Sequence, residues 1–504
     1  MLPWVKNAYG QIGSSYSQSC SYGGGIYCEP TGIGEPCPGP TIRNCVITGN
    51  ATSRDSAKAA GSGICGSSGP IINCIVSSNE DAGIAWCKGN ISGCIISDNA
   101  ASGLFDCHGP INNCTINSNK VGGVFVCEGP ITNCTVSGNG GTGLIACSAP
   151  ISNCVVTGNK GGGVINFTAP ITNCTISYNS TKYFGGGGVV SMCSDGWTIP
   201  TITNCIIWGN VAPVGPQVLV FGGSVSISHS DIQSGHADIQ VELDGTLYWG
   251  EGNIDTDPCF VEPGYWDPNG TPDDANDDFW VDGDYHLLPD SLCIDAGDPN
   301  YVPAPNETDL DGNPRVLDGD NDGNSVVDMG AYEANYVEVQ MKFTPQAFNP
   351  NSQGNWFKLH FVLPEGFVVE DVDVSKPALC KLMDTDGVAE SNDMNVFVNE
   401  EGLVEIEAFF DRGAFSLCRN GKAERNVIIL GILCGTRGQY FYGTDTIKII
   451  NKTWGHLAGF GSHWLEEGCG EPDWCSGQDL NQDSVVNLTD FALFHSCCIE
   501  IVAE

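Results

Sequence analysis

The chain has 504 residues, with 60 acidic against 20 basic side chains (net charge −40), 66 glycines and 26 cysteines. That acidity excludes a nucleic-acid partner or an anionic membrane surface, both of which need a basic face. A hydrophobic share of 41% excludes a disordered chain. No apolar run reaches the ~20 residues of a membrane helix. The opening MLPWVKNAYGQIG lacks the basic and apolar regions of a signal peptide, so the natural N-terminus is expected upstream.

Residues 1–235 are dominated by a repeat. GPIINCIVSSN (69–79), GNISGCIISDN (89–99), GPINNCTINSN (109–119), GPITNCTVSGN (129–139), APISNCVVTGN (149–159) and APITNCTISYN (169–179) place Cys74, Cys94, Cys114, Cys134, Cys154 and Cys174 20 residues apart. A second column, Cys87, Cys107, Cys127 and Cys147, keeps that period and passes to Phe167. Each unit holds short β-branched runs between Gly, Asn and Pro, which are strand and turn signals. A unit this small cannot bury its own apolar face, whereas stacked copies can, so the array reads as a parallel β-helix. Stacking turns each column into a ladder at ~4.8 Å spacing. Asn79, Asn99, Asn119, Asn139, Asn159 and Asn179 then form an amide ladder at a turn, where Asn tolerates the left-handed conformation. The cysteines, replaceable by Phe167, read as small buried hydrophobes with free thiols.

One column in the array is a candidate for chemistry. Lys88, His108 and Glu128 follow the second cysteine in three successive units, with Asp106 two residues before His108. Stacked within ~5 Å of one another, a cation, a base and an acid can support proton transfer. Ser148 and Thr168 continue the column, and the alternative is a solvated polar turn. Trp86 and Trp208 are candidate sugar-stacking aromatics.

Residues 236–335 contain 25 acidic side chains and one basic one, Arg315, and read as irregular last coils and a cap. Asp318, Asp320 and Asp322 alternate in DGDNDGNSVVDMG and Asp328 follows, a pattern that can converge on a hard cation such as calcium. Cys259 and Cys293 are candidates for a disulfide. Residues 336–460 alternate apolar and polar positions in VEVQMKFTPQ, NWFKLHFVL, LVEIEAFF and NVIILGILC, which predicts a β-sandwich serving as spacer or binding module.

Residues 461–504 carry the most specific motif. DLNQDSVVNLTD places Asp479, Asn481, Asp483, the Val485 carbonyl, Asn487 and Asp490 at positions 1, 3, 5, 7, 9 and 12 of an EF-hand-type calcium loop, with FALFHSCC as the exiting helix. Asp490 stands at position 12 in place of Glu, and Ser484 at position 6 in place of Gly.

The repeat array resembles the right-handed parallel β-helix proteins of the pectin-lyase-like superfamily, and the terminal calcium loop resembles a dockerin. The resemblance implies a right-handed solenoid and a small helical calcium module, which with the expected β-sandwich between them make a mostly β chain. It also implies an extracellular or cell-surface setting, calcium as cofactor, and carbohydrate or a cell-surface, cohesin-like protein as partner. His108-Gly109 matches one polygalacturonase motif, but the Asn-Thr-Asp and Arg-Ile-Lys motifs are absent and the array holds no Asp-Asp. Non-catalytic binding is therefore the first expectation, with a polysaccharide lyase or glycoside hydrolase as the alternative.

Overall fold

The computed structural model describes residues 4–5, 25–28, 39–51, 63–182, 185–192, 199–271, 277–319, 323–348, 356–382, 388–411, 424–435 and 439–450. The chain divides into two compact units, Met1–Ala334 and Asn335–Glu504. The calcium-loop residues Asp479, Asn481, Asp483, Val485, Asn487 and Asp490, together with Asp320 and Asp322, lie outside the described residues.

In the first unit each turn of the chain contributes one strand to each of three sheets, and each sheet has ten parallel strands. A representative coil runs Ile91–Ser92 (sheet 1), Ile95–Ser97 (sheet 2) and Ser102–Phe105 (sheet 3). Register follows the repeat: Ile95 lies opposite Ile75 and Thr115, and Ile111 opposite Ile91 and Ile131. This is the parallel β-helix that the period of 20 demands. Alternation within each short strand sends Ile91, Ile96 and Leu104 inward, where they join both cysteine columns in one continuous core.

The corners explain the rest of the repeat. The residue before each first-column cysteine is left-handed, with φ of 50° at Asn73 and Asn113, 60° at Gly93 and 52° at Asn153. A short polar side chain suits that conformation. The Asn79 ladder corrects a detail. Its residues are not the left-handed ones; the preceding Ser78, Asp98 and Ser118 are, at φ of 55°, 56° and 55°. That kink turns the Asn side chains inward, so each Nδ2 donates to the next Oδ1, at 2.8 Å from Asn79 to Asn99 and 2.9 Å from Asn99 to Asn119. The chain of bonds runs from Asn50 to Asn210. Both cysteine columns are free thiols, donating to carbonyls two residues back, as Cys114 does to Asn112 at 3.2 Å. Burial pushes the Cys147 thiol up to about 12, so that group stays protonated and inert.

Parallel strands continue to Thr246–Trp249. Beyond them the chain returns along the flank of the coils as two antiparallel pairs, Phe260–Glu262 with Asp284–Leu287 and Tyr265–Asp267 with Phe279–Val281, followed by an irregular strap to Ala334. Trp280 lies directly on left-handed Gly138 and Gly158, where any Cβ would come within 2.6 Å and 2.2 Å of its side chain. The strap then caps the left-handed Asn corner. Asn133 donates to the Asp309 carbonyl (3.2 Å), Asn153 to Glu307 (3.2 Å) and Asn173 to the Tyr301 hydroxyl (2.9 Å). Cys293 is a buried thiol donating to Asp231 at 3.4 Å, so it forms no disulfide with Cys259.

The second unit contains a six-stranded and a four-stranded sheet. Phe343, Phe357, Phe361 and Phe410 of the smaller sheet and Ile429, Leu433 and Phe441 of the larger belong to one buried cluster. Phe357 stacks on Phe343 and Phe410, with centroids at 5.0 Å and 4.9 Å.

Candidate functional site: an outward apolar column and its acidic edge

Sheet 3 carries the unusual surface of the β-helix. In its strands Leu104, Val124, Leu144 and Val164 fill the core, so the next residues, Phe105, Phe125, Ile145 and Ile165, point outward and remain half-buried. They are in register as one column, with Ala85 below and Val190 and Leu219 above. Phe105 and Phe125 stack at 5.7 Å with their planes 15° apart, and Trp86 meets Phe105 edge-on at 6.1 Å. Ala85, Val190 and Leu219 are buried, which bounds the open part of the column at four rungs. A soluble face normally alternates polar residues at such positions. An apolar, aromatic ladder left open points to a partner that covers it.

One edge of this column is built at a strained corner. Trp86, Asp106, Val126 and Ala146 occupy equivalent positions at φ of 53°, 50°, 55° and 54°. For a bulky or β-branched side chain this region costs energy, and the corner aims Trp86 and Val126, 36% and 37% exposed, beside the phenylalanines. Two residues on, beyond the buried cysteine, comes the sequence-predicted cluster. His108 Nδ1 lies 2.6 Å from Glu128 Oε2 and its Nε2 lies 3.5 Å from Asp106 Oδ1. The stack is held by backbone bonds from His108 to Cys87 and from Glu128 to Cys107, at 2.8 Å and 3.0 Å. The structure thus joins three of the four candidates. Lys88 occupies the same column one coil earlier, but among the described residues its ammonium forms no ion pair. Both ring nitrogens of His108 face carboxylates, and the three side chains remain solvent-accessible. Trp208 sits in sheet 2, in register with Ser177 and half-buried, away from this column.

Sequence reasoning missed the Phe105–Ile165 column because adjacent apolar residues, Leu104-Phe105 and Val124-Phe125, both read as core. The signal was there: each of these residues stands two positions before the second cysteine column, and only one of two neighbours in a strand can face inward.

The calcium candidates in the first unit are placed apart in role. Asp328 is buried, and its two carboxylate oxygens accept the amides of Asp295 (2.7 Å) and Ala334 (2.5 Å). Burial pushes Asp328 up to about 7 despite these bonds. Asp318 accepts the Gly323 amide at 3.1 Å. Among the described residues no group of three or more His, Cys, Asp or Glu is arranged to hold a metal ion. The strap is instead pinned by buried polar pairs. Arg315 and Glu333, both buried, pair at 3.0 Å, and burial lifts Glu333 to about 10 against the opposing pull of Arg315. His286 sits between Asp284 (2.5 Å) and Asp311 (2.8 Å) and against the Tyr332 ring. Burial works against its cation, but the two aspartates outweigh it and raise His286 to about 9.

No family model, curated protein or solved structure matches this chain. No helix among the described residues is long and apolar enough to cross a membrane.

Proposed function

We propose that the protein is an extracellular or cell-surface β-helix that binds carbohydrate on the open column of sheet 3. In this reading residues 336–460 form a β-sandwich spacer, and the calcium loop of residues 479–490 resembles a dockerin module that anchors the chain to a cohesin-like surface protein. The observation that carries the binding function is the aromatic run of Trp86, edge-on to Phe105, and Phe105 stacked on Phe125, on an otherwise solvent-facing sheet. Sugar C–H groups pack against apolar and aromatic side chains, while their hydroxyls need polar groups at the rim, here Lys88, Asp106, His108 and Glu128.

The alternative, a polysaccharide lyase or glycoside hydrolase, is favoured by one contact, the 2.6 Å approach of His108 to Glu128, since such a dyad is a potential acid–base pair. A polysaccharide panel separates the two. Retardation in native affinity gels without release of reducing ends or unsaturated products supports binding. Product release that His108→Gln abolishes supports the enzyme. Neither retardation nor product contradicts both.

A further inference from the structure

We infer that the C-terminal end of the β-helix is a docking surface for a β-strand of another protein, one that carries alternating apolar and basic side chains. This adds a protein partner to the carbohydrate reading and does not depend on it. The core of the solenoid stops there without being closed. Sheet 1 ends on Thr246–Trp249 and sheet 3 on Gln240–Glu242, and among the described residues neither strand has a neighbour on its outer side. Val241, Leu247 and Trp249 stack in register on the core residues Val220, Val225 and Ile227. Those three core residues are 0% exposed, whereas Val241 is 39% exposed and Leu247 and Trp249 are half-buried. Leu243 and Tyr248 add exposed apolar surface on the same coil. A solenoid needs a polar cap over its last coil, and an open strand edge is a template for a further strand. Here the last coil offers an apolar surface and two free edges together.

Charge decides between the possible occupants. Asp238, Glu242, Asp244, Glu251, Asp255 and Asp257 lie on the last coil and the turns that flank it, and no Lys or Arg occurs between residues 183 and 314. Asp255 and Asp257 accept the backbone amides of Ser234 and Cys259, at 2.8 Å and 2.9 Å, and stay exposed. The side chains able to carry positive charge at this end are His229 and His236, and His236 meets Trp249 edge-on at 5.5 Å. Two copies meeting end to end would bring these carboxylates together, which opposes self-association. An incoming strand that lays apolar side chains over Val241, Leu247 and Trp249 and points lysines or arginines outward satisfies both the open core and the acidic surround.

The test uses the full-length protein and three labelled octapeptides: alternating Lys-Val, alternating Glu-Val, and the Lys-Val peptide with its two central valines replaced by proline, which blocks strand pairing at unchanged charge. In fluorescence anisotropy the Lys-Val peptide should bind at least about tenfold more tightly than either of the others. Hydrogen exchange at residues 240–249 should slow when it binds. The double variant Glu242→Lys with Glu251→Lys, whose fold circular dichroism checks, changes the net charge only from −40 to −36. It should nevertheless bring the Lys-Val and Glu-Val peptides to within about threefold of each other. Equal binding of the proline peptide, or an undiminished preference in the double variant, would show attraction by the acidic chain as a whole and overturn the docking site. Absence of binding by all three peptides, or slow exchange at 240–249 before any peptide is added, would overturn it as well. A dimer in sedimentation that Val241→Lys dissolves would assign the end to a second copy of the chain and overturn the proposed partner.

Discussion

Asn119 Nδ2 donates to Asn139 Oδ1 at 3.1 Å and to the Ile96 carbonyl at 3.0 Å, while its own Oδ1 accepts the backbone and side-chain amides of Asn99 at 3.1 Å and 2.9 Å. One buried amide thus ties its own coil to the two that flank it. Replacing it removes the side-chain acceptor of the Asn99 backbone amide and the side-chain donor to the Ile96 carbonyl and Asn139 Oδ1, in a site closed to water. Asn119→Ala should cost at least ~2 kcal/mol in urea unfolding. Asn119→Asp, which cannot donate, should not rescue it. A loss below about 0.5 kcal/mol for either variant would show that the ladder is not a stabilising element.

Val126 presents the opposite case, a position where the native residue is worse than its substitute. A β-branched residue at φ 55° is held in a strained region, and its side chain is exposed rather than packed. Val126→Asn should raise stability by about 1 kcal/mol. Reduced affinity in the same variant would tie that strain to the ligand surface. A destabilised Val126→Asn protein would mean that Val126 packs on its neighbours more tightly than its exposure implies.

The strap makes stability depend on pH with an unusual sign. His286 is raised from its ordinary 6.5 to about 9, so its contribution is complete below pH 6.5 and disappears as pH rises to about 9. Asp328 and Glu333, raised by burial to about 7 and about 10, act in the same direction. The folded protein keeps protons that the unfolded chain has already released, so each destabilises the fold as pH rises through that window. Melting of the full chain should therefore weaken from about pH 5 towards pH 9. The gap between wild type and His286→Gln should be widest near pH 6 and close by about pH 9. A gap that widens with rising pH would contradict the assigned pairing.

Calcium is expected at the terminal loop. Titration calorimetry of the full chain should detect binding that Asp479→Ala with Asp483→Ala abolishes, and a chelator should lower the melting temperature of wild type but not of that double variant. Heat of binding unchanged in the double variant would move the calcium site elsewhere, with Asp318 and its neighbours next to be mutated.

The solenoid was legible because a strict period fixes register. Once Cys94 and Cys114 are 20 residues apart, Lys88, His108 and Glu128 must stack, and the His108–Glu128 contact follows. Finer geometry was less legible. Ser78 and Asn79 are both polar turn residues, and only the backbone shows that Ser78 takes the left-handed φ while Asn79 turns inward. The fold-back of residues 260–334 had no period to betray it. Its anchors, Trp280 on Gly158 and Glu307 on Asn153, join positions more than a hundred residues apart. The open column of sheet 3 was hidden in plain hydrophobicity, because Leu104 and Phe105 differ in direction rather than in character.

The most direct test of the central claim is native affinity electrophoresis of wild type and the double variant Phe105→Ala with Phe125→Ala, through gels containing β-1,4-linked glucan, xylan or mannan. The account predicts retardation of wild type in at least one of these gels and unretarded migration of the variant, with both proteins showing the same circular dichroism. Equal retardation of both would place carbohydrate binding away from sheet 3 and contradict the account.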